Sequence, residues 1–270
     1  MKQRLLFAVL LSWLAAGTLT AGRSEAAGLN LGWNLACPTT SGAAADMSFP
    51  CNDNGLTFTI IGTAVAPAGL SKVTAEELVF DLQEAGGVLS PWWHLEDVSS
   101  SAPAGCRGSD PVTNPAGSLS LTAAFAGAST AVCKNYWQTS ASGGQNYVPG
   151  YGGPDRARLQ GVFARTATSA GALTLNVQYY VANIGLDTQH TVPDPTDPSV
   201  YVCPGCHDGV CIVFNSCKFD QPPGTANGDV TVDTNGTRQF VTWQGGQGTI
   251  CPQQTPTHRA TWGKVKSLYR

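Results

Sequence analysis

Cysteine constrains this chain more than any other residue type. Nine are present: Cys37, Cys51, Cys106, Cys133, Cys203, Cys206, Cys211, Cys217 and Cys251. An odd set leaves at least one thiol free, ligating or bonded to another chain. Proximity along the sequence predicts Cys37–Cys51 and Cys106–Cys133 as two bridges. Cys203, Cys206, Cys211, Cys217 and Cys251 then share two more bridges and one leftover. Cys217 is the expected free thiol, because it lies in an apolar alternating stretch where a lone cysteine behaves as a small buried hydrophobe.

The N-terminus says which compartment these cysteines meet. Met1-Lys2-Gln3-Arg4 is a short basic head, Leu5 to Ala16 is apolar, and small residues follow. That order describes a secretory signal peptide over residues 1–26, cut after Ser24-Glu25-Ala26. The apolar run is too short for a comfortable membrane span. The sequence therefore predicts an exported protein, periplasmic, cell-surface or extracellular, that does not span a membrane once processed. In such a compartment disulfides are the default.

The full chain carries 15 Lys+Arg against 18 Asp+Glu. Removing the leader takes away Lys2, Arg4, Arg23 and Glu25, so the remainder is more acidic. A basic face of the kind that holds nucleic acid is not expected. Charged residues make up only 12% of the chain, against 31 glycines and 17 prolines, a turn-rich balance suited to an extracellular β protein.

Alternation of apolar and polar residues dominates the middle of the chain. Leu173-Thr-Leu175-Asn-Val177-Gln-Tyr179-Tyr-Val181 has period two, as does Leu56-Thr-Phe58-Thr-Ile60. Leu78–Leu82, Leu159–Phe163, Val210–Phe214 and Phe240–Trp243 read as further strands. Turn clusters separate them, among them Asn52-Asp53-Asn54-Gly55 and Gly143-Gly144-Gln145-Asn146. Residues 71–77 suit either a helical turn or the approach to a strand. The pattern predicts an all-β chain, an antiparallel β-sandwich of jelly-roll type, as a single domain over residues 27–256. Residues 257–270 read as a short basic helix, with Thr261 as N-cap. Trp262, Val265, Leu268 and Tyr269 share one face of it. With Lys264, Lys266 and Arg270 they form a candidate docking tail.

Cys203-Pro204-Gly205-Cys206-His207 is the sharpest motif. Two cysteines two apart followed by His is the attachment pattern of c-type haem. The partner ligand is not obvious, since the methionines are Met1 and Met47 and the other histidines are His94, His190 and His258. Cys203, Cys206, His207 and Cys211 also have the ligand types of a zinc site. The plainer reading is a disulfide-stapled hairpin tip, with no metal and no cofactor. Asn52-Asp53-Asn54 and Asp229–Gly236 offer oxygen ligands for calcium, but turn formation accounts for both. Trp92, Trp93, Tyr136, Trp137, Tyr147 and Tyr151 lie in or near small-residue loops. Rings there either stack on sugars or fill the core. Glu76, Glu77, Glu84, Glu96, Asp97, Asp155 and Asp187 show no catalytic spacing, and no hydrolase motif occurs.

Several segments taken together resemble a group of exported proteins of environmental bacteria. They are Leu29-Asn30-Leu31-Gly32-Trp33-Asn34, Cys211-Ile212-Val213-Phe214-Asn215-Ser216, Thr242-Trp243-Gln244-Gly245-Gly246 and the ending from Thr261 to Arg270. The resemblance covers essentially the whole mature chain and implies no activity. It implies a Cys-x-x-Cys with a third Cys nearby but without the following His, and an aliphatic residue at the place of Cys217. Both points disfavour haem and favour Cys217 as the odd thiol. The resulting expectation is a non-enzymatic structural or binding protein. Its partner would be a cell-surface component or a polysaccharide. A carbohydrate-binding module and a c-type haem protein are the alternatives.

Overall fold

A computed structural model describes residues 28–251, except 35–36, 39–43, 97–104, 109–116, 124, 126–128, 131, 139, 199, 234 and 247–250; of 235–238 only the backbone is described. The proposed leader and the basic tail, with Trp262, Lys264, Val265, Lys266, Leu268, Tyr269 and Arg270, lie outside these residues.

The described residues form an all-β sandwich. The strands are β1 (Leu29–Trp33), β2 (Asp46–Met47), β3 (Thr57–Val65), β4 (Ala75–Glu84), β5 (Leu119–Thr122), β6 (Cys133–Lys134), β7 (Ser142–Pro149), β8 (Arg156–Ala164), β9 (Gln178–Asp187), β10 (Val210–Asp220), β11 (Val230–Val232), β12 (Asn235–Arg238) and β13 (Phe240–Trp243). One sheet runs β12-β1-β3-β9-β5, with β6 also on β9. The other runs β2-β13-β10-β4-β8-β7, with β11 also on β10. Pairing is antiparallel except at β1/β12, β2/β13 and β6/β9.

Strand β4 shows how sequence becomes layer. Its residues alternate half-buried and buried without a break, so Glu76, Leu78, Phe80, Leu82 and Glu84 all face inward. The inward row thus begins and ends on a carboxylic acid. Strand β10 starts in the same phase, with Val210, Ile212 and Phe214 inside. A bulge between Phe214 and Ser216 then shifts it, so that Cys217 and Phe219 continue the inner row. An extra residue in one strand of a pair is what allows such a change of face. Phe80 and Phe214 stack at the centre, ring centroids 4.4 Å apart.

The alternation over 173–181 does not make one strand. Asn176 takes a left-handed φ of 60°, which ends the extended run, and β9 begins only at Gln178. From there Gln178, Tyr179, Tyr180, Val181 and Ala182 are all buried, so both faces of the strand are covered. A second small cluster of Cys37, Ile61, Phe125, Cys133 and Tyr180 supplies the cover on the outer face. Residues 71–77 resolve as the approach to β4 and not as a helical turn.

Four disulfides cross the fold: Cys37–Cys133, Cys51–Cys206, Cys106–Cys203 and Cys211–Cys251. Cys217 is the free cysteine and is buried. The proximity pairs Cys37–Cys51 and Cys106–Cys133 are therefore wrong. Short sequence spacing is a poor guide here, because in a sandwich the loops that meet at one end come from distant strands. Four such bridges fit an oxidising, exported environment. Among the described residues no helix is long and apolar enough to cross a membrane.

Candidate functional site

The chemistry-bearing residues gather at one end of the sandwich. There β4, β9 and β13 finish and β8 and β10 begin. Two of the four disulfides sit there. Cys203 and Cys206 each bond to a different distant cysteine, Cys106 and Cys51. Their sulfurs are thereby consumed, which removes the thiols that haem attachment or zinc ligation through this motif would need. The Cys-Pro-Gly-Cys segment is a double staple, and His207 after it is exposed. Gly205 is required at its turn. Its φ is 116°, and a Cβ there would lie 2.0 Å from Ser90 Oγ. The tip also accepts a hydrogen bond from Trp92 N–H at Pro204 O, 2.9 Å.

Beneath the staples lies an aromatic cluster. Trp92 and Trp93 occupy a 3-10 turn opened by Pro91 and are fully buried. Trp243 packs against both, with centroids at 4.9 and 5.7 Å, and Phe49 stacks on Trp243 at 4.5 Å. Each indole that is tied down donates to a defined acceptor: Trp92 to Thr191 Oγ1 at 2.9 Å, Trp243 to Cys206 O at 2.7 Å. Trp137 is equally buried near the opposite end, and Tyr147 is buried with its hydroxyl donating to Trp93 O at 2.8 Å. Tyr136 is half-buried and donates to Val73 O at 2.6 Å. Trp92, Trp93, Trp137 and Tyr147 are thus core, and cannot form a row of sugar-stacking rings. Of the six candidate aromatics only Tyr151 is exposed, at 45%.

Arg107 was not visible as a special residue in the sequence. Its side chain is wholly buried, and its guanidinium lies 3.5 Å from the centroid of the Trp92 ring. It donates to Trp92 O (3.0 Å), Gln189 O (3.1 Å) and Asp187 O, and lies 3.7 Å from the Asp187 carboxylate. Burial pulls its pKa down to about 9, partly offset by Asp187, so it remains a cation at neutral pH. One side chain thus pins residues 92, 187 and 189 together. Arg is suited to this because its planar fork presents several donors at once.

Three titratable groups line the rim. Glu84 is buried at the end of β4 and accepts the Ser90 N–H at 2.8 Å. Burial raises its pKa, opposed by that hydrogen bond, with nearby Asp208 raising it further. His94 Nδ1 lies 3.0 Å from Glu96 Oε1. That contact raises the His94 pKa, with burial opposing. The imidazole is 37% exposed while Glu96 Oε2 is buried, so the His94 ring is the part of the pair open to a polar ligand. Sequence gave these residues no spacing to betray them. They meet because residues 94–96 run alongside 105–107, with Arg107 N bonded to His94 O and Gly105 N to Glu96 O.

The remaining polar candidates are structural. Asp53 Oδ1 accepts Gly55 N–H at 2.7 Å, and Asn54 Oδ1 accepts the Thr191 and Val192 N–H groups. Asp53 forms a local turn, and Asn54 ties its loop to residues 191–192. Asp229 accepts Gln221 N–H at 3.1 Å. Among the described residues no group of three or more His, Cys, Asp or Glu is placed to hold a metal ion.

The chain matches no family model, no curated protein and no solved structure.

Proposed function

We propose that this is an exported, non-enzymatic binding protein, directed out of the cytoplasm by residues 1–26, that meets a cell-surface component or a polysaccharide at its doubly stapled end. The observation that carries this reading is the immobilisation of that end. Loops from both sheets are tied by Cys51–Cys206, Cys106–Cys203 and the buried Arg107. Ordering loops before a ligand arrives removes a cost that binding would otherwise meet. The polar His94–Glu96 pair lies on the rim so fixed.

The test is co-sedimentation of the purified oxidised protein with the cell envelope of the producing organism and with insoluble polysaccharides. Retention is expected, and it should weaken in a Cys106→Ser/Cys203→Ser protein that still shows a cooperative melt. Passage of the intact protein through every matrix would sink the reading.

A further inference from the structure

The outer face of the β7–β8 hairpin carries a second arrangement that neither the staples nor the core explains. Directly opposed residues of an antiparallel pair share a face. Asn146 opposes Gln160, Gly144 opposes Val162 and Val148 opposes Arg158. Tyr147 points into the core, so the Asn146 row points outward. Neither the Asn146 nor the Gln160 amide has a side-chain hydrogen bond among the described residues. Gly144, Val162 and this amide pair line a shallow depression of about 400 Å³. Gly144 leaves its floor open, since a Cβ there would meet nothing within 4 Å.

Tyr151 lies outside the lining of that depression and adjoins the same outward row through Arg158, two residues before Gln160. It sits on the β7–β8 turn, whose backbone closes through Gly150 N to Arg156 O (2.7 Å) and Gly153 N to Gly150 O (3.3 Å). The Arg158 guanidinium lies over its ring at 3.8 Å from the centroid. Arg158 is itself locked by two hydrogen bonds to Asp81, of 2.6 and 2.8 Å. A tyrosine that is 45% exposed is thereby held with the Arg158 cation over its ring.

We propose that this face binds a neutral glycan, and that Tyr151 is its stacking residue. The C–H groups on one face of a pyranose carry small positive charge and suit the negative face of an aromatic ring. The Asn146 and Gln160 amides each offer donors and an acceptor, which is what sugar hydroxyls require. The cations on this face each have acidic neighbours: Arg158 pairs with Asp81, Arg156 lies 3.9 Å from Asp155, and Lys218 meets Glu77, Asp220 and Asp229. The surplus around Lys218 is acidic, so these groups do not favour an acidic ligand. This inference rests on the binding reading above and adds the ligand class and the residues.

The experiment is native electrophoresis of the oxidised protein through gels containing xylan, galactomannan, hydroxyethylcellulose or a soluble β-1,3-glucan, with polygalacturonate as an acidic comparison. At least one neutral gel should retard the wild type. Tyr151→Ala should weaken that retardation by about tenfold or more in dissociation constant, and Gln160→Ala by about threefold or more. Tyr151→Phe should stay within about twofold, because stacking needs the ring and not the hydroxyl. Tyr201→Ala, an exposed ring elsewhere, should change nothing. Melting temperatures of the variants check that the fold is intact. The proposal is overturned if no neutral gel retards the wild type, if Tyr151→Ala and Gln160→Ala bind as wild type does, or if polygalacturonate is preferred. Envelope retention without glycan retention would overturn this site alone. Loss of both would overturn the binding reading as well.

Discussion

Glu76 accepts a 2.8 Å hydrogen bond from the Trp137 indole N–H in the interior of the sandwich. Burial raises the carboxyl well above 4.5, and the indole only partly offsets it. The folded protein therefore keeps Glu76 protonated where the unfolded chain ionises. Such a group stabilises most at pH below its unfolded pKa and loses that contribution as pH rises toward its folded pKa. The slope is about 1.4 kcal/mol per pH unit for one proton. His94 and Glu84, also raised, act in the same direction. Urea midpoints should fall from pH 5 to pH 8 in the wild type, and distinctly less in Glu76→Gln. Parallel pH profiles for the two proteins would refute the protonated assignment.

Arg107, a cation wholly buried among the described residues, should be hard to replace. Arg107→Met leaves the Gln189, Asp187 and Trp92 carbonyls without their guanidinium donor and the Asp187 carboxylate without its cation, keeping, among the described residues, only the Gln189 N–H. Removing one member of such a buried polar set costs about 3–5 kcal/mol. Arg107→Lys keeps the charge but not the fork, so it should recover only part of the loss. Thermal unfolding of both variants measures this, with wild type, Lys, Met as the expected order of stability.

β4 and β8 were legible because one face of each is wetter, and alternation records a single buried face. β3, β10 and β13 were legible as short apolar runs although consecutive residues in each are buried on both faces. Legibility failed where a local conformation intervenes. β9 from Gln178 is covered on both sides, and the left-handed Asn176 cuts the run that precedes it. The candidate site was hardly legible. Cys203 and Cys206 were recognisable as special, but their partners lie 97 and 155 residues away. Arg107, His94 and Glu84 acquire meaning only through contacts between loops. The paired tryptophans at 92–93 look like a ligand platform in sequence, and only packing against Trp243 reveals them as core.

The disulfide pattern yields a direct chemical test. Proteolysis of the unreduced protein, followed by mass spectrometry, should give cross-linked peptides for Cys37–Cys133, Cys51–Cys206, Cys106–Cys203 and Cys211–Cys251. Cys217 should resist iodoacetamide in the native protein and react after unfolding. It is wholly buried, and burial raises its pKa, with Glu76 nearby adding to the effect. Thiolate is the reactive form, so the folded thiol is doubly protected. A Cys37–Cys51 peptide, or rapid native labelling, would contradict the structure.

Gly62 shows how closely the two sheets are fitted. It lies in β3 between Leu31 of β1 and Ala182 of β9. A Cβ at this position would stand 2.8 Å from the Ala182 Cβ, and 3.4 Å from both Leu31 Cδ2 and Phe214 Cε1 of the facing sheet. The first contact is too short for any real pair of carbons, and neither partner is the loose end of a long side chain. A methyl group must therefore push β3 and β9 apart, or displace the Phe80–Phe214 stack at the core centre. Overpacking of this kind costs about 1–3 kcal/mol. Gly62→Ala should lower the melting temperature, although alanine is ordinarily the better residue in an extended strand. Ala182→Gly made in the same chain should restore part of the loss by removing the atom it strikes. If the double variant is no more stable than Gly62→Ala alone, the close approach of β3 and β9 is not the cause.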